Sequence, residues 1–255
     1  MFSLGSIFHK TIKVKSPLSL LKKVYRYTFG ELDLHSHIRF RTVKKYWQPL
    51  EKNLEIGSAR GLMTYAFLLE TKKPILGLSY LDSEVKEARD IQKKIGIDKV
   101  IFRQSDILKL ENIGPDSFDQ CLLIDVLEHI DDDSRALQNV RRILKPQGYL
   151  VISVPTPNYP KYFGQKFAQK IGHRRDGYYF EDLAKLLRTN GFTIVKYQYY
   201  TNLISSSLCS IWYKNLQDIK LIKPLVLPLF NFISLFDFFP SKNHSCSLAV
   251  LAKKL

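Results

Sequence analysis

Two short stretches of this chain carry side chains whose types and spacing suit chemistry. The first is Leu54-Glu-Ile-Gly-Ser-Ala-Arg-Gly61, in which the carboxylate of Glu55 precedes Gly57, Ser58, Ala59 and Gly61. A glycine straight after an apolar run lets the backbone turn tightly and lets a ligand approach the main chain. The second is Asp125-Val-Leu-Glu-His129, which follows another apolar run and brings Asp125, Val126, Glu128 and His129 together. An imidazole titrates near neutral pH, so His129 fits a general base that takes a proton from a hydroxyl; it could equally cap or pack the next turn. His173, flanked by Arg174 and Arg175, is a second candidate base; it could also contact a phosphate or carboxylate, and the preferred reading is a solvated charged loop. His9, His35, His37 and His244 have no supporting context. With no cysteine or further histidine near His35 and His37, no metal site is expected. Asp131, Asp132 and Asp133 open a helical pattern and read as a dipole-favoured cap rather than a cation site.

The elements that must position these residues alternate. Asn53–Ile56, residues 74–78, 99–102, Phe118–Ile124, 149–154 and 192–199 read as strands. Residues 62–70, Asp82–Ile95, 133–144 and 181–188 read as helices, with Val85, Ala88, Ile91 and Ile95 sharing one face of the second. The stretch Lys145-Pro-Gln-Gly148 reads as a helix stop and turn. Strands alternating with helices imply right-handed crossovers and a doubly wound, mainly parallel sheet with helices on both faces. Ligands of such sheets lie beyond the carboxyl ends of the strands, where both chemical stretches fall.

Two cofactors compete for the first loop. A dinucleotide asks for glycines in a GxGxxG frame, but here that frame reads Gly57, Ala59 and Leu62. The acidic-x-Gly-x-Gly-x-Gly loop of S-adenosylmethionine enzymes reads Glu55, Gly57, Ala59 and Gly61, with one departure. A carboxylate favours that cofactor's ammonium and sulfonium and repels a pyrophosphate. Further segments then follow in order: Leu76-Gly-Leu-Ser-Tyr-Leu-Asp82, Gln104-Ser-Asp-Ile107, Ser117-Phe-Asp119, Ile124-Asp-Val-Leu-Glu-His-Ile130, Lys145-Pro-Gln-Gly148, Ile152-Ser-Val-Pro155 and Glu181-Asp-Leu-Ala-Lys-Leu-Leu-Arg-Thr-Asn-Gly-Phe192. Together they resemble class I S-adenosylmethionine-dependent methyltransferases over residues 52–199, and within these the subgroup that methylates small molecules, quinones and sugars. The resemblance implies a seven-stranded sheet whose final strand, residues 247–251, is antiparallel. It implies that Ser79 and Tyr80 hold the ribose, that Asp106 accepts from the adenine amino group with Ile107 on the ring, and that Asp125 and Val126 line the methionine end. Where the family usually ends its second strand in Asp or Glu, this chain has Ser79; Asp82 is placed to compensate, or to cap the helix that follows. Replacing Gly57 by arginine is expected to abolish cofactor binding and leave the fold.

The chain has 255 residues with 39 basic and 24 acidic side chains, a net charge of +15. That length buries a core without metal or disulfide staples, and the ordinary composition excludes a disordered or coiled-coil chain. The charge draws polyanions: anionic lipid headgroups, phosphorylated substrates or RNA. Residues 1–50 read as a basic N-terminal helical extension broken at Pro17 and Gly30, and residues 51–255 as the methyltransferase domain. The extension mixes its lysines with Phe2, Leu4, Ile7, Phe8, Tyr25, Tyr27 and Phe29, a composition that can lie on an anionic membrane. Residues 221–240 are apolar but too short and too interrupted to span a bilayer; they read as a helix packed on the sheet or as a second apolar surface. The absence of a convincing secretory signal and three widely spaced cysteines, Cys121, Cys209 and Cys246, point to a reducing, cytoplasmic setting, with a peripheral position at the inner membrane face compatible with the basic ends. The sequence favours a hydroxyl on a small molecule, glycan or lipid-linked intermediate as methyl acceptor. RNA ranks below it: no RNA-binding module is visible, and Asp125-Val-Leu-Glu128 is not the Asn/Asp-Pro-Pro-Tyr/Phe of amino-methylating nucleic-acid enzymes. A non-catalytic scaffold with a worn cofactor site is the remaining alternative, motivated by Ala59 and Ser79.

Overall fold

The computed structural model describes residues 34–216 and 222–255. The basic segment ahead of Leu34, with Pro17, Gly30, His9 and the apolar residues assigned to a membrane-surface helix, lies outside the described residues. The strands are β1 (Asn53–Ile56), β2 (Ile75–Ser79), β3 (Val100–Gln104), β4 (Phe118–Ile124), β5 (Leu144–Pro155), β6 (Phe192–Tyr200) and β7 (Ser247–Lys254). They form one seven-stranded sheet in the order β3-β2-β1-β4-β5-β7-β6. Every pairing is parallel except those of β7, which runs antiparallel between β5 and β6. The strand order reverses at β1 and β4, and a crevice opens beyond the carboxyl ends at such a reversal.

Successive side chains of a strand point to opposite faces, and the central strands are apolar on both. In β4, Leu122 and Ile124 enter one core while Cys121 and Leu123 enter the other; in β7, Ala249 and Leu251 oppose Leu248, Val250 and Ala252. The first core is covered by α1 (Leu34–Val43), α2 (Leu62–Thr71), α3 (Asp82–Ile95) and α8 (Leu203–Ile211) through residues such as Ile38, Phe67, Ala88 and Cys209. The second is covered by α4 (Asp133–Ile143) and α7 (Phe180–Thr189) through Leu137, Val140, Leu183 and Leu187. Between β5 and α7 lie two short helices, α5 (Tyr159–Phe163) and α6 (Gln165–Lys170).

Two elements differ from the sequence reading. Lys145-Pro-Gln-Gly148 does end α4, but no separate turn follows. Strand β5 starts at Leu144, paired with Phe118, and absorbs the stretch through an irregular register in which Gln147 takes a φ of +65°. The apolar segment near 221–240 forms α9 (Lys223–Ile233), which packs on α1 and α8 and buries Leu227; Leu225, Leu229 and Phe232 of the helix, and Leu235, Phe236, Phe238 and Phe239 beyond it, are exposed. Among the described residues no helix is long and apolar enough to cross a membrane. Helix α1 places Leu34, Ile38 and Val43 in the first core together with Trp47, which packs on Phe67 at a ring separation of 5.3 Å.

Candidate cofactor and acceptor site

The loop after β1 is held by the neighbouring strand: the backbone N–H groups of Gly57 and Ser58 both donate to the Leu78 carbonyl at 2.8 Å. Gly57 takes a φ of +81°, and a Cβ placed on it would meet Val126 Cγ2 at 2.3 Å. This glycine therefore serves close packing against the β4 loop as well as the turn. The expectation that arginine here would spare the fold is overturned, because any side chain strikes Val126 before it reaches a ligand. Gly61, at φ +85°, is similarly constrained: a Cβ would meet Phe102 Cζ at 2.5 Å.

Beyond these turns lies a cavity of about 360 Å³ lined by Glu55, Gly57, Ser58, Ala59 and Asp125, together with Arg39 from α1. Glu55 is buried, and its carboxylate accepts a hydrogen bond from the Thr64 hydroxyl of α2. Burial pushes its pKa up to about 7, and the Thr64 hydroxyl offsets part of that. Ser58 is also buried, and its hydroxyl has no protein partner. Asp125 takes a φ of +54° and anchors the β4 loop to β5: its N–H donates to the Ser153 carbonyl and its Oδ1 accepts from the Ser153 hydroxyl, at 2.8 and 2.7 Å. Its Oδ2 pairs with Arg39 at 2.9 Å. Nothing in the local sequence announces Arg39, which stands among the basic residues of the N-terminal reading. Two carboxylates and an orphaned hydroxyl facing one cavity fit a ligand that carries cations and a hydrogen-bonding group, which is the chemistry of S-adenosylmethionine.

The ribose and adenine segments lie at the ends of β2 and β3, and Ser79, Tyr80, Asp106 and Ile107 are not among the residues lining this cavity. Ser79 is buried and its hydroxyl donates to Glu84 in the first turn of α3. Asp82, read as a possible cap of α3, does not cap it: it is the first helical residue and pairs with Lys86 at 2.7 Å. Tyr80 is 68% exposed. The two loops are tied where Ser105 N–H donates to the Ser79 carbonyl and Gln104 Nε2 to the Tyr80 carbonyl. Asp106 Oδ1 accepts from the Leu108 N–H at 2.9 Å, an Asx turn that fixes the carboxylate at the strand end. Ile107, which the resemblance puts on the adenine ring, is buried in the second core.

Past Asp125 the chain makes a single 3₁₀ turn, Leu127–His129. His129 Nδ1 lies 3.0 Å from the Gly172 carbonyl, and its ring meets that of His173 edge-on with centroids 5.0 Å apart. The Arg174 N–H donates to the Glu128 carbonyl at 2.8 Å, locking the two loops together. The reading of His173 as part of a solvated charged loop is thereby corrected: its Nδ1 is buried, and burial together with His129 holds its imidazole below the usual range. The acidic run at 131–133 behaves as the cap it was read to be. Asp132 accepts from the Arg135 N–H at 2.9 Å, and Asp133 pairs with Arg175 at 2.7 Å.

A family model described as a methyltransferase domain matches residues 48–201. A polyketide synthase-nonribosomal peptide synthetase of Aspergillus clavatus is 30% identical over 155 residues, which is 55% of this chain and 4% of that protein. The O-methyltransferase resE of Aspergillus sclerotiorum is 26% identical over 152 residues, 56% of this chain and 55% of its own length. The chain thus spans less than two thirds of either relative. Among solved structures, phosphoethanolamine N-methyltransferase 2 of Haemonchus contortus, in complex with S-adenosyl-L-methionine, is similar at a TM-score of 0.66 and 15% identity, covering 99% of this chain and 57% of that one. At that identity the likeness concerns the fold alone.

Proposed function

We propose, given that this chain belongs to the methyltransferase-domain family and has its class I fold, that it binds S-adenosylmethionine in the cavity beyond β1 and β4 and methylates a hydroxyl. The observation that carries this reading is the pairing of Glu55 with the orphaned Ser58 hydroxyl in one cavity at the strand-order reversal. When bound, the cofactor supplies a methyl group already activated by its sulfonium. The chain's own residues then bind, orient and exclude water. Glu55 and Asp125 favour the cations of the methionine end. Ser79, Tyr80 and Asp106 are assigned to the ribose and adenine, with Glu84 supporting Ser79. His129 and His173, brought together beyond the 3₁₀ turn that follows Asp125, are the groups assigned to promoting loss of the acceptor's proton.

The acceptor class, a hydroxyl on a small molecule, glycan or lipid-linked intermediate, is supported by the O-methyltransferase among the relatives. The lipid-linked end of that range has one structural support. Around α9, Leu225, Phe238 and Phe239 are 75%, 68% and 85% exposed, with Leu229, Phe232 and Phe236 beside them, an apolar face on a chain of net charge +15. Basic and apolar groups together favour an anionic membrane surface.

Calorimetry with S-adenosylmethionine, followed by transfer of a radiolabelled methyl group to hydroxyl-bearing acceptors, tests the reading. Binding that weakens in E55Q is expected. No heat at millimolar cofactor would leave a scaffold protein instead.

A further inference from the structure

We propose that Glu128, His129 and His173 bind a divalent first-row transition cation such as Zn²⁺, Mn²⁺, Fe²⁺ or Co²⁺. One ligand atom from each lies within 4.8 Å of the other two. Metal–nitrogen and metal–oxygen bonds of about 2.0–2.2 Å set neighbouring ligand atoms about 3.4 Å apart in a tetrahedron. Rotation of three side chains on adjoining loops closes that gap, since Glu128 Oε1 already stands 3.9 Å from His129 Nε2.

The cluster also carries the unmet valences that a cation would fill. Glu128 is 1% exposed, and its Oε2 has no hydrogen-bond partner. The charge acting most strongly on it is another carboxylate, Asp125, whose ion-pair partner is Arg39. A buried carboxylate left this way is costly unless protonated or met by a positive charge. His173 Nδ1 is likewise buried and unpartnered. His129 is oriented for ligation: with Nδ1 donating to the Gly172 carbonyl at 3.0 Å, the lone pair sits on Nε2, the atom that faces Glu128. An imidazole held by a carbonyl on its far nitrogen is the usual support for a metal-bound histidine.

The ligand chemistry selects the ion. Two imidazoles and one carboxylate suit borderline transition metals, whereas Ca²⁺ and Mg²⁺ take oxygen sets. Three protein ligands leave at least one position open, which makes the cation a Lewis acid. On this point the inference deepens the proposed methyl transfer and rests on it. Held by Glu128, His129 and His173, the cation would polarise the acceptor hydroxyl and ease loss of its proton to solvent; the oxygen's electron pair would form the new carbon–oxygen bond as the carbon–sulfur bond breaks, with that bond's pair staying on sulfur as a neutral thioether. His129 thus acts on the acceptor's proton through the cation.

The test titrates Co²⁺ into the full chain after chelator treatment, recording visible ligand-field absorption, with S-adenosylmethionine calorimetry on the same preparation. One Co²⁺ per chain is expected, displaced by Zn²⁺. E128Q and, at the more exposed position, H173Q should each weaken it by at least about tenfold. Cofactor binding in the unaltered chain with no saturable Co²⁺ site overturns the metal and leaves the methyltransferase reading standing. Co²⁺ affinity unchanged from the unaltered chain in both variants places the ion elsewhere and overturns the site. A metal site without cofactor binding upholds the ligand assignment and removes the proposed transfer.

Discussion

The Ser79 hydroxyl donates a hydrogen bond to the Glu84 carboxylate, so a negative charge stands at the end of β2 although the strand itself ends in a neutral residue. In the proposed cofactor site, Glu84 from the first turn of α3 supplies the carboxylate that the resemblance expects on the strand. Glu84→Gln should therefore weaken cofactor binding by about tenfold, the difference of about 1.4 kcal/mol between a charge-assisted and a neutral hydrogen bond. Asp82→Asn, three residues from the strand end and paired with Lys86, should leave affinity unchanged. Calorimetry on the two variants separates them; equal loss in both would return the role to Asp82.

Glu55 makes the protein sensitive to pH. Its pKa in the fold lies near 7, raised by burial from an ordinary 4.5. For an acid raised on folding, the folded chain holds the extra proton, so this contribution is complete below the unfolded value. It is lost as pH rises from about 4.5 to 7, on the order of 3 kcal/mol in all. A cationic ligand favours the ionised form, so cofactor affinity should rise with pH across the same window and binding should release a proton. Thermal melting as a function of pH, and calorimetry in two buffers of different ionisation enthalpy, read both effects. E55Q should flatten them.

Gly57 and Val126 are coupled by contact. Gly57→Ala forces a side chain into a φ of +81° and against Val126 Cγ2, so it should destabilise the protein by about 1–3 kcal/mol, a fall of roughly 2–4 °C in Tm for each kcal/mol. In the double variant with Val126→Ala the clash disappears while the backbone strain remains. The loss should then be smaller than the sum of the two single losses, and strict additivity would show that the loop relaxes away from β4.

The exposed face around α9 makes the membrane assignment measurable. Phe238→Ser together with Phe239→Ser should leave the fold intact, both side chains being largely exposed, and lower co-sedimentation with anionic vesicles severalfold. Binding to RNA in a gel-shift salt series, with vesicle binding unchanged in the double variant, would assign the positive charge to nucleic acid instead.

The fold was legible because its signals are local. Apolar runs such as Phe118–Ile124, the glycines at 57 and 61, and the face of Val85 and Ala88 each state their element within a few residues. The antiparallel position of β7 came only through resemblance, since no local pattern distinguishes strand direction. At the site, Glu55, Gly57, Ser58, Ala59 and Asp125 were legible and meet in one cavity. What escaped is what depends on contacts across the chain. Arg39 reaches Asp125 from α1, Glu84, two residues past Asp82, meets Ser79 in its stead, and His173 arrives beside Glu128 and His129 from a loop that follows a different strand. Periodicity and spacing carry no information on such distant neighbours.

The antiparallel β7 bears on the order of assembly. It lies between β5 and β6 yet follows both in the chain. A nascent polypeptide that has emerged only as far as Tyr200 has β6 and α7 synthesised but no neighbour for β6 to pair with. The β3-to-β5 half can zip up as it is made, whereas that outer flank waits for Ser247 onward to thread in beside β5. The sheet's far side therefore closes late, and the apolar face of α7 stays in need of shelter until it does.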